Sequence, residues 1–217
     1  DDVRGGVLDK EMCIAARRLE MQFFRKMGVY KKIKRASLPH GAKVITTKWV
    51  DTNKGTEAEP NYRSRLVETD ERPDLFAATP PLESLRYVLS LCASSQSGPN
   101  PHRILTVDVK RAYFYAPAKR PMFIELPVED RLPGEEDCVA QLNLSLYGTR
   151  DAAQNWTREY TRALQAAGFT VGKASPCNFF HKEADMALSV HGDDFTVSGP
   201  ERSLEWLRDF LKDRWDV

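Results

Sequence analysis

Three aspartates, set into two short stretches that otherwise read as apolar strands, constrain this chain more than anything else in it. Asp108 ends the alternating run Leu105-Thr-Val-Asp108, and Asp193 and Asp194 are neighbours in Leu188-Ser-Val-His-Gly-Asp-Asp-Phe-Thr-Val197. An ionised carboxylate is expensive to place among apolar residues unless a cation or a set of donors meets it. The fold must therefore carry both stretches to one place, where the charges share water or an ion. Carboxylates converging from a strand and a hairpin turn suit a hard cation such as Mg²⁺, which also binds phosphates. That donor set is the chemistry of nucleotidyl transfer.

The chain's 217 residues can bury one large core or two small ones. No apolar run reaches the length of about 18 residues that a membrane-spanning helix needs, so no membrane is expected as a partner. The opening Asp1-Asp-Val-Arg4 is neither a secretory signal nor an initiator methionine, and reads as the start of a piece of something longer. Cys13, Cys92, Cys138 and Cys177 are widely scattered without metal-ligand spacing, which suggests buried, reduced thiols in an intracellular protein that is not secreted.

A formal net charge of +1 says little, but its distribution says more. Between Arg17 and Lys54 the cations recur, as in Arg25-Lys26, Lys31-Lys32 and Lys34-Arg35, against only Glu20 and Asp51. Acids collect later, at Glu129-Asp130 and Glu135-Glu136-Asp137. A basic N-terminal third is what a phosphate backbone would meet. A solvated charged face is the plainer alternative.

The periodicities predict an α+β fold, with helices covering one face of a largely antiparallel sheet. A first helix is expected to present Leu8, Met12, Ala15, Leu19, Phe23 and Met27 on one side. Lys43–Val50 and Tyr62–Val67 read as a β-hairpin with a long tip around Asn53-Lys-Gly55. Pro80 and Pro81 suit the start of a helix lined by Leu82, Leu85, Val88, Leu89 and Cys92. Along the first aspartate strand, Leu105, Val107 and Val109 should face the core while Thr106 and Asp108 share the other side. Met122–Leu126 and Val139–Leu142 read as short strands. A helix should follow, with Ala153, Trp156, Tyr160, Ala163 and Leu164 on one face and a stop at Gly168. Gly192-Asp193 is a plausible hairpin turn, and Pro200 opens a last helix.

These motifs carry a resemblance. Asp108-Val-Lys-Arg-Ala-Tyr-Phe114 resembles the first polymerase motif of reverse transcriptases, and Val190-His-Gly-Asp-Asp194 looks like a variant of their Tyr-x-Asp-Asp hairpin. Ser145-Leu-Tyr-Gly148 with Ala152 and Trp156 is similar to a stretch of copia-type LTR retrotransposons. So are Lys48-Trp-Val50, Lys54-Gly55 and Tyr62-Arg-Ser-Arg-Leu-Val67. The order is collinear over nearly the whole chain.

The resemblance implies a fingers–palm architecture: an N-terminal helix and fingers over approximately 1–100, and a palm, an antiparallel sheet backed by helices, over 101–217. It implies a template-directed DNA polymerase using RNA or DNA template with primer and dNTP substrates. Asp108, Asp193 and Asp194 would be catalytic and would bind two Mg²⁺ ions, with Mn²⁺ able to substitute and the Val109 carbonyl completing one site. Tyr113 would lie beneath the incoming sugar, against the alternative of a core aromatic. Lys54 and Arg65 would clamp the triphosphate, and Gly148 would allow close approach of template or nucleotide, where helix entry is the plainer role. Trp156 reads as core sooner than as a stacking platform. None of the four histidines is assigned to a metal. The family also implies a Pol polyprotein with a thumb and RNase H, in a cytoplasmic particle or the nucleus.

Departures from the family stand at His191-Gly192, where Tyr-Val is usual, and at Thr149-Arg150-Asp151, where Asp151 would put an anion near a phosphate path. The stretch between Val67 and Phe76 is short, so the fingers are expected to be trimmed. The chain ends at Val217, just beyond the palm hairpin, with the thumb absent from it. A catalytically decayed or repurposed palm that binds nucleic acid is the alternative reading.

Overall fold

The computed structural model describes residues 1–3, 5–69 and 79–217. The first elements are α1 (Lys10–Met27), β1 (Tyr30–Lys34), β2 (Val44–Ile45), β3 (Thr47–Asn53) and β4 (Tyr62–Glu68). There follow α2 (Leu82–Ser94), β5 (His102–Asp108), β6 (Phe123–Glu125), β7 (Cys138–Leu142) and α3 (Ala152–Ala166). The last are β8 (Thr170–Val171), β9 (Asn178–His181), β10 (Met186–His191), β11 (Asp194–Pro200) and α4 (Glu201–Lys212). The expected trimming between Val67 and Phe76 falls mostly outside the described residues. Helix and sheet mix as expected of an α+β chain, in three sheets instead of one, and among the described residues only β2 and β6 pair in parallel. No described helix is long and apolar enough to cross a membrane. The chain divides into two compact units: Asp1–Asp74 with Ala116–Asn155, and Leu75–Tyr115 with Trp156–Val217.

The first unit holds a four-stranded sheet in the order β1-β7-β6-β2 and a separate β3–β4 ribbon. The run Lys43–Val50 is thus two strands: Val44–Ile45 pairs with β6, while Thr47 onward joins β4. Helix α1 begins where the Asp9 carboxylate accepts the Met12 N–H at 2.9 Å, and stops at Gly28, whose φ of 65° a glycine adopts without Cβ strain. Its buried face carries Cys13, Glu20, Met21 and Phe24, while Leu19 is 52% exposed. That face is rotated from the expected one because two polar residues belong to it. Arg17, next to Cys13 on that face, grips Asp51 of β3 through Nε at 3.3 Å and Nη2 at 2.5 Å, with its guanidinium over the Trp49 ring. Ser64 Oγ donates to the same carboxylate at 2.6 Å. Burial alone would raise the Asp51 carboxyl, but the hydrogen bonds from Arg17 and Ser64 outweigh it and hold the group below its ordinary value.

Part of the basic N-terminal third is matched from within. Asp130, 3% exposed, accepts Arg25 Nε at 2.5 Å and the Tyr30 hydroxyl at 2.6 Å. Lys32 Nζ reaches the Asp130 carbonyl at 2.5 Å and Glu135 at 2.7 Å, and Arg35 pairs with Glu125 at 2.6 Å. The late acidic cluster is therefore a partner to several of the early cations, and Arg17, Arg25, Lys32 and Arg35 are already engaged.

The second unit is built on the antiparallel sheet β5-β11-β10-β9-β8. Its register aligns Leu105, Val197 and Leu188 across three strands, and likewise Val107, Phe195 and Val190. These apolar rows meet Trp156 and Tyr160 of α3 and Trp215, with the Trp156 and Phe195 ring centroids 6.4 Å apart. Leu204, Leu207 and Leu211 of α4 are buried as the helical period predicts. The opposite face carries polar rows instead. Ser189, Thr196 and Thr106 align, continued by Asn178, whose amide donates to Ser84 Oγ of α2 at 2.9 Å. Helix α2 thus lies against polar residues and buries only Ser84 and Val88, leaving Leu82 57% and Leu89 46% exposed. Its expected apolar face is mostly uncovered within this unit. All four cysteines are free thiols, three buried and Cys92 half-buried.

Replacing Asp130 with Ala strands the Tyr30 hydroxyl and breaks the Arg25 ion pair, while Lys32 keeps the backbone carbonyl of residue 130 and Glu135. Urea unfolding should show a loss of about 2–3 kcal/mol, near the lower end for a broken buried pair because Arg25 keeps partial contact with water. A loss below about 0.5 kcal/mol would reduce the cluster to an ordinary surface pair.

Candidate active site

Strands β10 and β11 are joined by the two residues Gly192 and Asp193. Gly192 has a φ of 66°, whereas Asp193 is not among the positive-φ residues, which is the pattern of a type II′ hairpin turn. A Cβ at Gly192 would meet nothing within 4 Å, so backbone conformation and not space calls for glycine there. Two bonds fasten the turn. The Val109 N–H donates to the Asp193 carbonyl at 3.0 Å, and the Trp156 indole Nε1 donates to the Gly192 carbonyl at 2.8 Å. Trp156 is 1% exposed, so it is core, and its one polar atom holds the hairpin tip.

This register makes one row of His191, Asp194 and Asp108 across β10, β11 and β5. Asp193 stands half-buried at the turn beside them. The row borders a hollow of about 620 Å³, whose other wall is Pro80, Pro81, Leu82 and Leu85 at the start of α2. Loss of water pushes the Asp194 carboxyl above its ordinary value, and the negative charges of Asp193 and Asp108 add to the rise, while His191 opposes it. Two of the three aspartates expected to converge are thus cross-strand partners, and the third is near enough to act on the Asp194 carboxyl.

Among the described residues, no three His, Cys, Asp or Glu side chains lie close enough together to form a metal site. Three like charges repel, and the backbone brings the aspartates together without closing their carboxylates into a shell. The donor chemistry nonetheless suits a hard divalent cation: two carboxylates paired across β5 and β11 and a third on the adjoining turn, with the charged form of Asp194 disfavoured by burial and by the other two.

Tyr113 is half-buried in the turn of 3-10 helix Ala112–Tyr115, which follows Arg111 at a φ of 54°. Val109 is fully buried. Asp108, Val109, Tyr113, Asp193 and Asp194 all belong to the second unit, and Lys54, Arg65 and Gly148 to the first. Lys54 is exposed at the ribbon tip, where its backbone N–H donates to the Asn61 carbonyl at 2.8 Å. The Arg65 guanidinium lies over the Tyr147 ring at 5.2 Å. Gly148 has a φ of 81°, and a Cβ there would come within 2.9 Å of the Glu68 backbone nitrogen. The close approach that Gly148 permits in this unit is that of β4.

Asp151, expected beside a phosphate path, is only 5% exposed and faces Arg120 at 3.4 Å and the Asn155 amide at 3.3 Å. It is held inside the first unit by these partners, while Arg150 is exposed. Sequence reasoning left three residues without these places: His191 in the aspartate row, Tyr147 under Arg65, and the Trp156 indole on the turn. The first was available in principle, since a two-residue turn at Gly192-Asp193 makes His191 and Asp194 cross-strand partners.

The chain belongs to the reverse transcriptase (RNA-dependent DNA polymerase) family, whose model matches residues 30–217. It is also similar to the Retrovirus-related Pol polyprotein from transposon TNT 1-94 of Nicotiana tabacum, 25% identical over 208 residues. That alignment takes in 90% of this chain and 15% of the relative, so the chain spans a small part of the polyprotein it matches. The copia-type resemblance of the motifs is borne out.

Because the Asp194 carboxyl is raised in the folded state, its contribution to stability is present at low pH and lost as pH rises through the folded value. At pH 7 its charge therefore costs stability. Asp194→Asn should raise the thermal midpoint by about 1–3 °C at pH 7, a small effect because the exposed charges are screened by water. The difference should vanish near pH 3. A variant less stable at pH 7 would show that Asp194 makes a favourable contact instead.

Proposed function

We propose that this chain carries the fingers and palm of a copia-type reverse transcriptase. It would perform RNA-directed, and also DNA-directed, DNA synthesis by joining a dNTP to a primer 3′-hydroxyl with release of pyrophosphate. The observation that carries this reading is the cross-strand alignment of Asp108 with Asp194, with Asp193 on the adjoining turn, in a chain of the reverse transcriptase family. In this reading the fingers take approximately residues 1–100 and the palm 101–217; the two compact units divide the chain differently, with Ala116–Asn155 in the first and Leu75–Tyr115 in the second.

Asp108, Asp193, Asp194 and the Val109 carbonyl would hold two Mg²⁺, or Mn²⁺, which supply activation of the attacking hydroxyl and neutralisation of the leaving phosphates. Tyr113 would exclude a 2′-hydroxyl by steric contact beneath the sugar. Lys54 would offer a point charge and Arg65 a planar, bidentate donor to the triphosphate. Gly148 would keep the neighbouring backbone free of a side chain toward the nucleotide. Template with primer is the expected partner. The matched relative being a Pol polyprotein supports a thumb and RNase H as further parts of the same system.

The alternative, a palm that binds nucleic acid without chemistry, leans on the basic N-terminal third. Arg17, Arg25, Lys32 and Arg35 are engaged with carboxylates, which weakens that surface as a binding face. Three clustered aspartates would also oppose a polyanion unless cations accompany it.

Primer extension on an RNA template with Mg²⁺ or Mn²⁺ tests the proposal. Extension is expected from the natural sequence, and a fall of at least about 10³-fold in Asp108→Asn and Asp193→Asn. Undiminished extension in either variant would remove the aspartates from the reaction. Duplex binding without extension, by folded protein, would favour the binding module.

A further inference from the structure

In the first unit, Arg65 is held in an unusual way. Its guanidinium lies over the Tyr147 ring, 5.2 Å from the centroid, and its Nε is buried with no hydrogen-bond partner. Buried donors are rarely left unmet, and an orphan calls for a ligand or a functional reason. Tyr147 is itself fixed from two sides. Its carbonyl accepts the Glu68 N–H at 3.1 Å, and the next residue, Gly148, lets β4 come so close that any Cβ there would collide with the Glu68 backbone. The loop Ser145–Gly148 is thereby stitched to β4 three residues beyond Arg65. The backbone that carries the ring under the guanidinium is thus held in place.

We propose that Tyr147 is the positioning residue for Arg65, holding its guanidinium flat so that its N–H edge stays available to an oxygen of a phosphoanion such as a nucleoside triphosphate. This rests on the reading of Arg65 as a triphosphate contact. A stacked Arg keeps all five N–H donors for in-plane acceptors, because the ring engages only its face. A free Arg side chain must be immobilised when it binds, and one already pinned loses less on doing so. The orphaned Nε is itself buried and marks a guanidinium that is not fully satisfied within the unit; an anion would meet the group from its Nη side. A lysine at 65 could not reproduce it, having neither the plane to stack nor the fork to present.

The test is a titration of the folded chain with inorganic tripolyphosphate, followed by calorimetry or by NMR, which requires no polymerase activity. Arg65→Ala should weaken binding by about tenfold or more. Tyr147→Leu should weaken it by a similar factor, with the double variant no worse than Arg65→Ala alone, since both remove the same contact. Tyr147→Phe should bind within about twofold of the natural chain, because the ring and not the hydroxyl meets the cation. If Tyr147→Leu fails to fold, 4-cyanophenylalanine at position 147 takes its place. It keeps the ring but withdraws its charge, and should weaken binding relative to Tyr147→Phe. Tyr147→Leu binding as tightly as the natural chain, while Arg65→Ala does not, would overturn the role of Tyr147 and leave Arg65 in place. Equal binding by 4-cyanophenylalanine and phenylalanine would do the same. No effect of Arg65→Ala would overturn the phosphate reading of Arg65 and the inference with it. Tripolyphosphate binding that follows this pattern in a chain unable to extend primers would sustain the inference while sinking the polymerase reading.

Discussion

The register of the β10–β11 hairpin decides which side chains reach the hollow. A strand has period two, so a slip of one residue would turn Asp194 toward Trp156 and Trp215 and bring Phe195 into the polar row. Gly192 prevents that slip by accepting a positive φ at the first turn position, which fixes a two-residue connection. The Trp156 indole and the Val109 amide then tie the turn at its two carbonyls. Once the turn is set, β11 pairs with β5, and Asp108 falls opposite Asp194 without further instruction. The sheet thus brings acidic side chains close at a cost that shows in the raised Asp194 carboxyl. A folded chain tolerates such a cost at a functional site and recovers stability elsewhere, here in the apolar rows packed on α3 and α4.

Charge in the first unit follows a different logic. Several of its cations are distributed among individual acids through short hydrogen bonds to buried or half-buried carboxylates. Asp51 gathers Arg17 and Ser64, and Asp130 gathers Arg25 and Tyr30. Arg65 departs from this pattern, with an aromatic face under its guanidinium and a buried donor unmet. A basic composition along the chain is thus a poor guide to which cations are left for a ligand, and the distinction depends on partners far away in sequence.

What could be read from the chain divides along the same line. The three aspartates, the Gly192-Asp193 turn, the alternation of β5 and the apolar face of α3 were legible, because each rests on local period or turn chemistry. The buried face of α1 was not, because Glu20 takes a core position and half-buried Arg17 lies beside Cys13, where an apolar count chooses Met12 and Leu19. Helix α2 was misjudged for the opposite reason: its leucines follow a helical period, but it lies on the polar rows of Asn178, Ser189 and Thr196. The split of Lys43–Val50 into two strands depends on a parallel pairing with Phe123–Ile124 that nothing local announces. In the sites, Tyr147 and the Trp156 indole were hidden because their contacts, with Arg65 and with Gly192, join residues distant in the chain. Asp151 was misplaced for want of knowing that Arg120 and Asn155 would enclose it.

Asp108, Asp193 and Asp194 are proposed to form one divalent-cation centre. Paramagnetic broadening by substoichiometric Mn²⁺, read from the amide NMR signals of the natural chain, addresses it most directly. The signals of Val109 and of Gly192 to Asp194 should disappear first. That of Met186, about 17 Å away at the far end of β10, should persist. Broadening that begins elsewhere, or that spreads evenly over the chain, would contradict the claim.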